Sequence, residues 1–260
     1  MTLKSKIHSS IGSPSSPIKI LLINPNSTQS FTLDLVPVLT RSIPSDVSVD
    51  FITAPEPAPA SINNNEDCKL STRVCEEHLD LDSPDSAWLE EYSCVVVACF
   101  SQHPLVDSLK RAGEGGSNGK SQPAVVLGIL DAAINSALGL GGKFGIVTTG
   151  QQWETLFDQA IASMGLTSRY AGTKGTGFDA ISLHGSEVSD IMINASTELV
   201  GKSADVIVLG CGGMSNMRAM IERELSGRIG RRIPVVDGVQ AAVDMGIGYA
   251  RMGIAPSFSN

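Results

Sequence analysis

A chain of 260 residues holds one large domain or two small ones, and its 42% apolar content is enough for a packed core. The formal net charge of −8 leaves no basic face, which argues against nucleic acid or an anionic membrane as partner. Abundant glycine and only 5% aromatic residues suit α/β architecture with tight strand-to-helix turns better than a β-sandwich.

In chain order, residues 1–17 are hydroxyl-rich and weakly basic, without the apolar stretch of a secretory signal, and read as a flexible tail. Short β-branched runs then predict strands at Ile18–Ile23, Val47–Ile52, Cys94–Ala98, Ala124–Leu127, Phe144–Thr148, Asp205–Leu209 and Ile233–Val236, with a weaker one near Ser168–Ala171. Continuous apolar strands of this kind belong to parallel sheets covered on both faces. Pro37 interrupts the first helical pattern and predicts a kink or an early end. Trp153, Phe157, Ala160 and Ile161 form an apolar stripe at helical spacing, as do Val188, Met192, Ala195 and Leu199. A third stripe runs through Met217, Met220, Ile221 and Leu225. The glycine-rich stretch 172–177 lacks the features of a phosphate loop and reads as a mobile lid. No apolar run is long enough to span a membrane.

The five cysteines, at 68, 75, 94, 99 and 211, are odd in number and scattered, which argues for a reducing, cytoplasmic setting over a disulfide framework. Cys75 and His78 lack a second ligand pair at zinc-like spacing, so no metal is expected. Cys68, Cys75 and Cys94 read as packing thiols.

The chain repeats itself in three blocks in the same order. Ile18–Asn24 resembles the stretch from Lys143 to Thr149, Val95–Cys99 resembles Ile207–Cys211, and the Pro123-led strand resembles the Pro234-led one. This order suggests an ancient duplication, although βαβ units are alike in general. The duplication predicts two α/β sandwiches with mostly parallel four-stranded sheets and the active site in the cleft between them. Residues 1–118 with 226–260 form the first domain, the last strand returning to the first sheet, and 119–225 form the second.

Each half then presents one cysteine at the carboxyl end of a strand, where open parallel sheets bind ligands. Cys99 ends an apolar strand and precedes Pro104, well placed for an early helical position. Taken alone it is as well explained as a small apolar residue. Cys211 is flanked by Gly210, Gly212 and Gly213, whose backbone permits close approach to a ligand. The amides of Gly212 and Gly213 suit an anion cradle beside the sulfur. Two acid/base groups on opposite faces of one carbon can invert it without moving the substrate, one thiolate taking a proton while a thiol delivers another.

The chain resembles the hydantoin/allantoin racemase branch of the aspartate/glutamate/hydantoin racemase superfamily. The resemblance rests on Ile23-Asn-Pro-Asn-Ser-Thr28, Ala58-Pro-Ala-Ser-Ile62, Ala98-Cys-Phe100, Val147-Thr-Thr149, Leu209-Gly-Cys-Gly-Gly-Met214 and Pro234-Val-Val-Asp-Gly-Val239. It implies a cofactor-independent isomerase, without pyridoxal phosphate or metal, with Cys99 and Cys211 as the catalytic pair. It also implies a homo-oligomer. The preferred substrate is a cyclic ureide, allantoin or a 5-substituted hydantoin, and allantoin would place the enzyme in purine catabolism. The substrate-binding residues it implies are Asn24, Asn26, Ser27, Phe100, Ser101, Thr148, Thr149, Gly212, Gly213 and Met214. An Asx-type turn at Pro25 explains Asn24 and Asn26 equally well. Asp237 and Gly238 either support the site from behind or cap the last helix. Bacterial members commonly follow the first cysteine with Gly-Asp-Pro-Gly, whereas Ser101-Gln-His-Pro104 stands here. His103 is expected in a turn or a pocket wall. Other readings are an amino-acid racemase, a decarboxylase or isomerase on the same scaffold, or a non-catalytic ligand-binding module.

Overall fold

The computed structural model describes residues 3–81, 86–115, 124–177 and 186–254. Contacts divide the chain into two compact units. The first comprises Met1–Cys99, His103–Ile129 and Ala242–Asn260, and the second comprises Phe100–Gln102 and Leu130–Ala241.

The first unit is built on a sheet of five strands, β1 (Ser9–Ile11), β2 (Ile18–Asn24), β3 (Val47–Thr53), β4 (Cys94–Val97) and β5 (Val125–Gly128), in the order β1-β3-β2-β4-β5. All neighbours run parallel except β1, which pairs antiparallel with β3. The helices α1 (Gln29–Thr40), α2 (Asn65–Leu79) and α3 (Leu105–Gly115) provide the crossovers that parallel strands require. Leu21, Ile23, Val95, Val97, Leu105 and Leu109 meet in its core. Pro37 does not stop α1 at once, since the helix ends only at Thr40.

The second unit carries β6 (Phe144–Thr148), β7 (Tyr170–Gly175), β8 (Val206–Leu209) and β9 (Val235–Asp237), all parallel, in the order β7-β6-β8-β9. The helices α5 (Gln152–Ser163), α6 (Ser186–Gly201) and α7 (Arg218–Ile229) link them in turn. The core gathers Val147, Met192, Leu199, Ile207, Leu209, Ile221 and Leu225. The predicted helical stripes are thus core faces. Two more helices, α4 (Ile129–Leu140) and α8 (Gly238–Met252), follow β5 and β9 directly, and the division between the units falls within them.

The order β3-β2-β4-β5 matches β7-β6-β8-β9 strand for strand, as a duplication requires. Four expectations are corrected. The 1–17 segment is not all a flexible tail, because β1 pairs with the β3 edge, Ser10 donates to Asp50 at 2.5 Å, and the Lys6 side chain is buried. That extra strand makes the first sheet five-stranded rather than four-stranded. The boundaries 1–118 with 226–260, and 119–225, also fail. β5 lies beside β4 and β9 beside β8, so the strand at 235–237 stays in the second sheet and the strand at 125–128 stays in the first. The physical reason is local: each cysteine-bearing strand, its helix and the next strand close one βαβ unit. Finally, the stretch read as a lid is mostly β7, and the amides of Thr176 and Gly177 extend the pairing to the carbonyls of Thr148 and Thr149. No helix among the described residues is long and apolar enough to cross a membrane.

Candidate active site

The carboxyl end of the first sheet gathers the loop after β2 and the loop after β4. These strands are neighbours, Ile23 facing Val97, and the Ala98 amide donates to the Ile23 carbonyl at 2.8 Å. This places Asn24 and Cys99 at adjacent strand ends. Cys99 is half-buried. Asn24 is buried and its amide is engaged locally, its Nδ2 donating to Asn26 Oδ1 (3.0 Å), the Thr28 carbonyl (3.2 Å) and Thr32 Oγ1 (3.1 Å). Its Oδ1 accepts the Asn26 amide at 3.2 Å. Asn24 is therefore the frame of an Asx-type turn. Asn26 accepts through Oδ1 from Asn24 and from the Thr28 amide (2.9 Å), and its Nδ2 makes no hydrogen bond among the described residues. The Ser27 amide is tied to the Pro59 carbonyl at 3.0 Å.

Beyond Cys99, Phe100 and Ser101 are buried. Phe100, which clusters with the second unit, meets Phe157 edge-on, with ring centroids 5.3 Å apart and planes at 87°. His103 is only 2% exposed and sits at the start of α3. Its Nδ1 accepts the Leu105 amide at 3.3 Å, a capping bond of the kind that serine or aspartate makes elsewhere. Burial holds its pKa down at about 4. Pro104 then starts the helix, its carbonyl accepting the amides of Asp107 (3.0 Å) and Ser108 (3.1 Å).

The carboxyl end of the second sheet repeats the arrangement. β6 and β8 are neighbours, Val147 facing Leu209, and the Gly210 amide donates to the Val147 carbonyl at 2.7 Å. Thr148 is fully buried and donates to the Gly210 carbonyl at 2.9 Å, so it fixes the approach to Cys211. Gly210 is required here: a Cβ would come within 2.9 Å of both Ile146 Cγ2 and Thr148 Cβ. The buried Thr149 spends its carbonyl on Gly177 and Thr176.

Cys211 is half-buried and opens a 3-10 turn, Gly212–Met217, in which the Met214 amide donates to the Cys211 carbonyl at 3.0 Å. Burial pushes its thiol pKa up to about 11, against the opposing effect of a hydrogen bond from the Gly213 amide. The expected cradle is thus represented by one amide at the sulfur, while desolvation, rather than fine tuning near neutrality, sets the direction. Met214 is fully buried and packs in the second core, so its side chain anchors the turn.

Sequence reasoning missed Ser215. Its hydroxyl lies 2.8 Å from Asp237 Oδ1 and 2.8 Å from the Gly212 carbonyl. Asp237 ends β9, is buried, and also accepts the amides of Val239 (3.0 Å) and Gln240. It both caps α8 and pins the Cys211 turn, joining the two roles that the sequence left as alternatives. Burial raises its pKa, with the bonds from Ser215 and the two amides opposing. When Asp237 is ionised the hydroxyl proton goes to the carboxylate. When it is protonated, the carboxyl donates to Ser215 and Ser215 donates to Gly212. The turn stays tied in either state. No residue pattern announces a pair 22 positions apart.

Of the remaining cysteines, Cys68 and Cys75 lie on α2 and Cys94 opens β4. Burial pushes the Cys75 and Cys94 thiols up to about 12, in keeping with packing roles. Among the described residues no three His, Cys, Asp or Glu side chains group as a metal site.

The family model for Asp/Glu/hydantoin racemases matches residues 20–246, which include both strand-end groups. The chain belongs to this family. Among its relatives is an uncharacterized protein of Schizosaccharomyces pombe, 32% identical over 92% of this chain and 95% of that one. A hydantoin racemase of Rhizobium meliloti is 26% identical over 89% of this chain and 90% of its own length. Among solved structures, an allantoin racemase from Klebsiella pneumoniae superposes with a TM-score of 0.75 at 23% identity, covering 92% of this chain and 90% of that one. This racemase-family fold carries one cysteine beyond each matched strand. Val97 and Leu209, which face Gly128 and Asp237, each stand two residues before their cysteine.

Proposed function

We propose that the protein is a cofactor-independent racemase of a five-membered cyclic ureide, allantoin or a 5-substituted hydantoin, with Cys99 and Cys211 as its two acid/base groups. The observation that carries this reading is the repeated position: one thiol, at the same register, beyond β4 and beyond β8. In the reaction a thiolate on one face removes the proton from the ring carbon beside the carbonyl. The electron pair moves into the carbonyl as an enolate, and a thiol on the other face protonates the same carbon. The first sulfur ends as thiol and the second as thiolate, ready for the opposite enantiomer. Burial raises the Cys211 pKa and so favours its thiol form in the free enzyme. The Gly213 amide then steadies the thiolate that Cys211 becomes.

The groups at the two strand ends favour a neutral ring over a free amino acid. They are amide, hydroxyl and backbone donors, with Asn26 Nδ2 and the Thr149 hydroxyl as candidates for the ring carbonyls. The carboxylate Asp237 is engaged by Ser215 and two amides. An α-carboxylate would also suit backbone donors at a helix N-terminus, so aspartate is included in the test below. Ser27, Phe100, Ser101 and the Gly212–Gly213 backbone complete the proposed lining, while Asn24, Thr148 and Met214 hold it in shape. The reading includes a homo-oligomer in a reducing, cytoplasmic setting, and sedimentation at micromolar concentration tests the former.

The deciding experiment follows the circular dichroism of enantiopure allantoin, 5-substituted hydantoins and L-aspartate with the purified enzyme. Decay with a ureide and not with aspartate is expected. Decay with aspartate alone would overturn the substrate class.

A further inference from the structure

The imidazole of His103 has a donor that the described residues do not satisfy. Nδ1 accepts the Leu105 amide, so in the neutral ring the proton resides on Nε2. The Thr72 hydroxyl, 3.5 Å from Nδ1, is itself held by the Cys68 carbonyl at 2.8 Å. Nε2 is buried and has no hydrogen-bond partner among the described residues. Nearly all buried donors in native proteins find an acceptor. The residue is 2% exposed, so bulk water does not explain the group. His103 also stands four residues after Cys99, on the loop leaving the carboxyl end of β4, where parallel sheets receive their ligands.

We propose that His103 Nε2–H donates a hydrogen bond to a ring carbonyl oxygen of the bound ureide and so selects for a substrate with an acceptor at that place. The proposal rests on the racemase reading for the ligand's class and goes beyond it in naming a specificity-determining residue. The capping bond fixes the ring's tautomer and the donor's direction before the ligand arrives. A donor held this way discriminates strongly, because a ligand without the acceptor leaves the N–H buried and unpaired.

Two substitutions separate capping from recognition. In His103→Asn, the amide oxygen reaches the Nδ1 place and keeps the bond from Leu105, but nothing reaches the Nε2 place. In His103→Gln, the amide nitrogen reaches the Nε2 place and the cap is lost. The probe is unsubstituted hydantoin, which is achiral, with binding read by calorimetry and by the side-chain nitrogen resonances of His103. On binding, the wild-type Nε2 resonance shifts while Nδ1 stays nearly fixed. H103N binds the probe about tenfold or more weakly at unchanged stability, the loss of one buried neutral hydrogen bond. H103Q keeps most affinity and loses stability.

Wild-type affinity in H103N, or an Nε2 resonance unmoved by the probe, would overturn the proposal. Should H103N not fold, the wild-type resonances decide alone. A wild type that binds hydantoin with the Nε2 shift yet racemises no ureide leaves this inference standing and removes the racemase reading. Racemisation without the shift does the reverse. No binding of hydantoin removes the proposal.

Discussion

Ser215 donates to the carboxylate of Asp237 across 2.8 Å, tying the turn that follows Cys211 to the end of β9. The bond is buried, so neither partner can exchange it for water at no cost. Ser215→Ala is expected to cost about 1 kcal/mol of stability, one net buried hydrogen bond. Asp237→Ala also removes the cap of α8 and is expected to cost about 2 kcal/mol. Because the two changes delete the same bond, the double mutant should cost less than their sum. Urea unfolding of the four proteins measures the coupling. Strict additivity would mean that the bond contributes nothing.

Replacing Cys99 or Cys211 by serine is expected to abolish racemisation, because a hydroxyl is far too weak an acid to stand in for a thiolate at neutral pH. Exchange of the ring-carbon proton with deuterated solvent is a separate readout. Each single mutant retains one sulfur and should exchange one enantiomer without inverting it, the two mutants acting on opposite hands. Unimpaired racemisation by either mutant would eliminate the two-thiol mechanism.

The buried imidazole of His103 links folding to acid. Its folded-state pKa of about 4 lies below the ordinary 6.5, so the neutral ring is favoured in the native state. The stabilisation is complete above pH 6.5 and is lost as pH falls through 4. The span corresponds to roughly 3 kcal/mol. Wild-type stability by chemical denaturation should therefore fall between pH 7 and pH 4 more steeply than that of H103N, which has no titrating group at position 103. Parallel curves for the two proteins would exclude the effect.

Gly246 on α8 packs directly on Cys94, and a Cβ there would stand 2.6 Å from the sulfur. Gly246→Ala is expected to destabilise by about 1–3 kcal/mol through overpacking. Combining it with Cys94→Ala removes the obstructing sulfur but leaves the Cβ of residue 94 at 2.9 Å from the new methyl, so it should recover only part of that loss. Thermal unfolding of the single and double mutants checks the rescue, and a double mutant worse than both singles would place the strain elsewhere.

The parallel strands were legible because Ile20–Ile23, Phe144–Val147 and Val206–Leu209 are buried on both faces and so carry uninterrupted apolar residues. The placement of Cys99 and Cys211 just beyond strand ends was legible because each follows such a run. β1 was not, since Ser9-Ser-Ile11 has no apolar period and owes its conformation to the unpaired edge of β3. Sheet membership of β5 and β9 was misassigned because similar apolar strands carry no mark of which βαβ unit they close. Asn24 and Thr148 were rightly placed at strand ends, but composition does not reveal whether a buried amide or hydroxyl faces a ligand or its own backbone. The capping role of His103 was half visible in the order His-Pro at a helix start. The Ser215–Asp237 bond exists only once the chain has closed on itself.

At the register position of Asp237 the first half carries Gly128, which has no side chain to reach back toward the loop after Cys99. That loop relies instead on an imidazole cap made within its own few residues. The two matching halves therefore expose their cysteines to different kinds of evolutionary drift. Changes around Cys99 act on a cap made in the same short segment and, at Phe100, on its packing against Phe157. Changes around Cys211 must be answered by a strand encoded more than twenty codons downstream, so the second half should diversify more slowly and through paired substitutions.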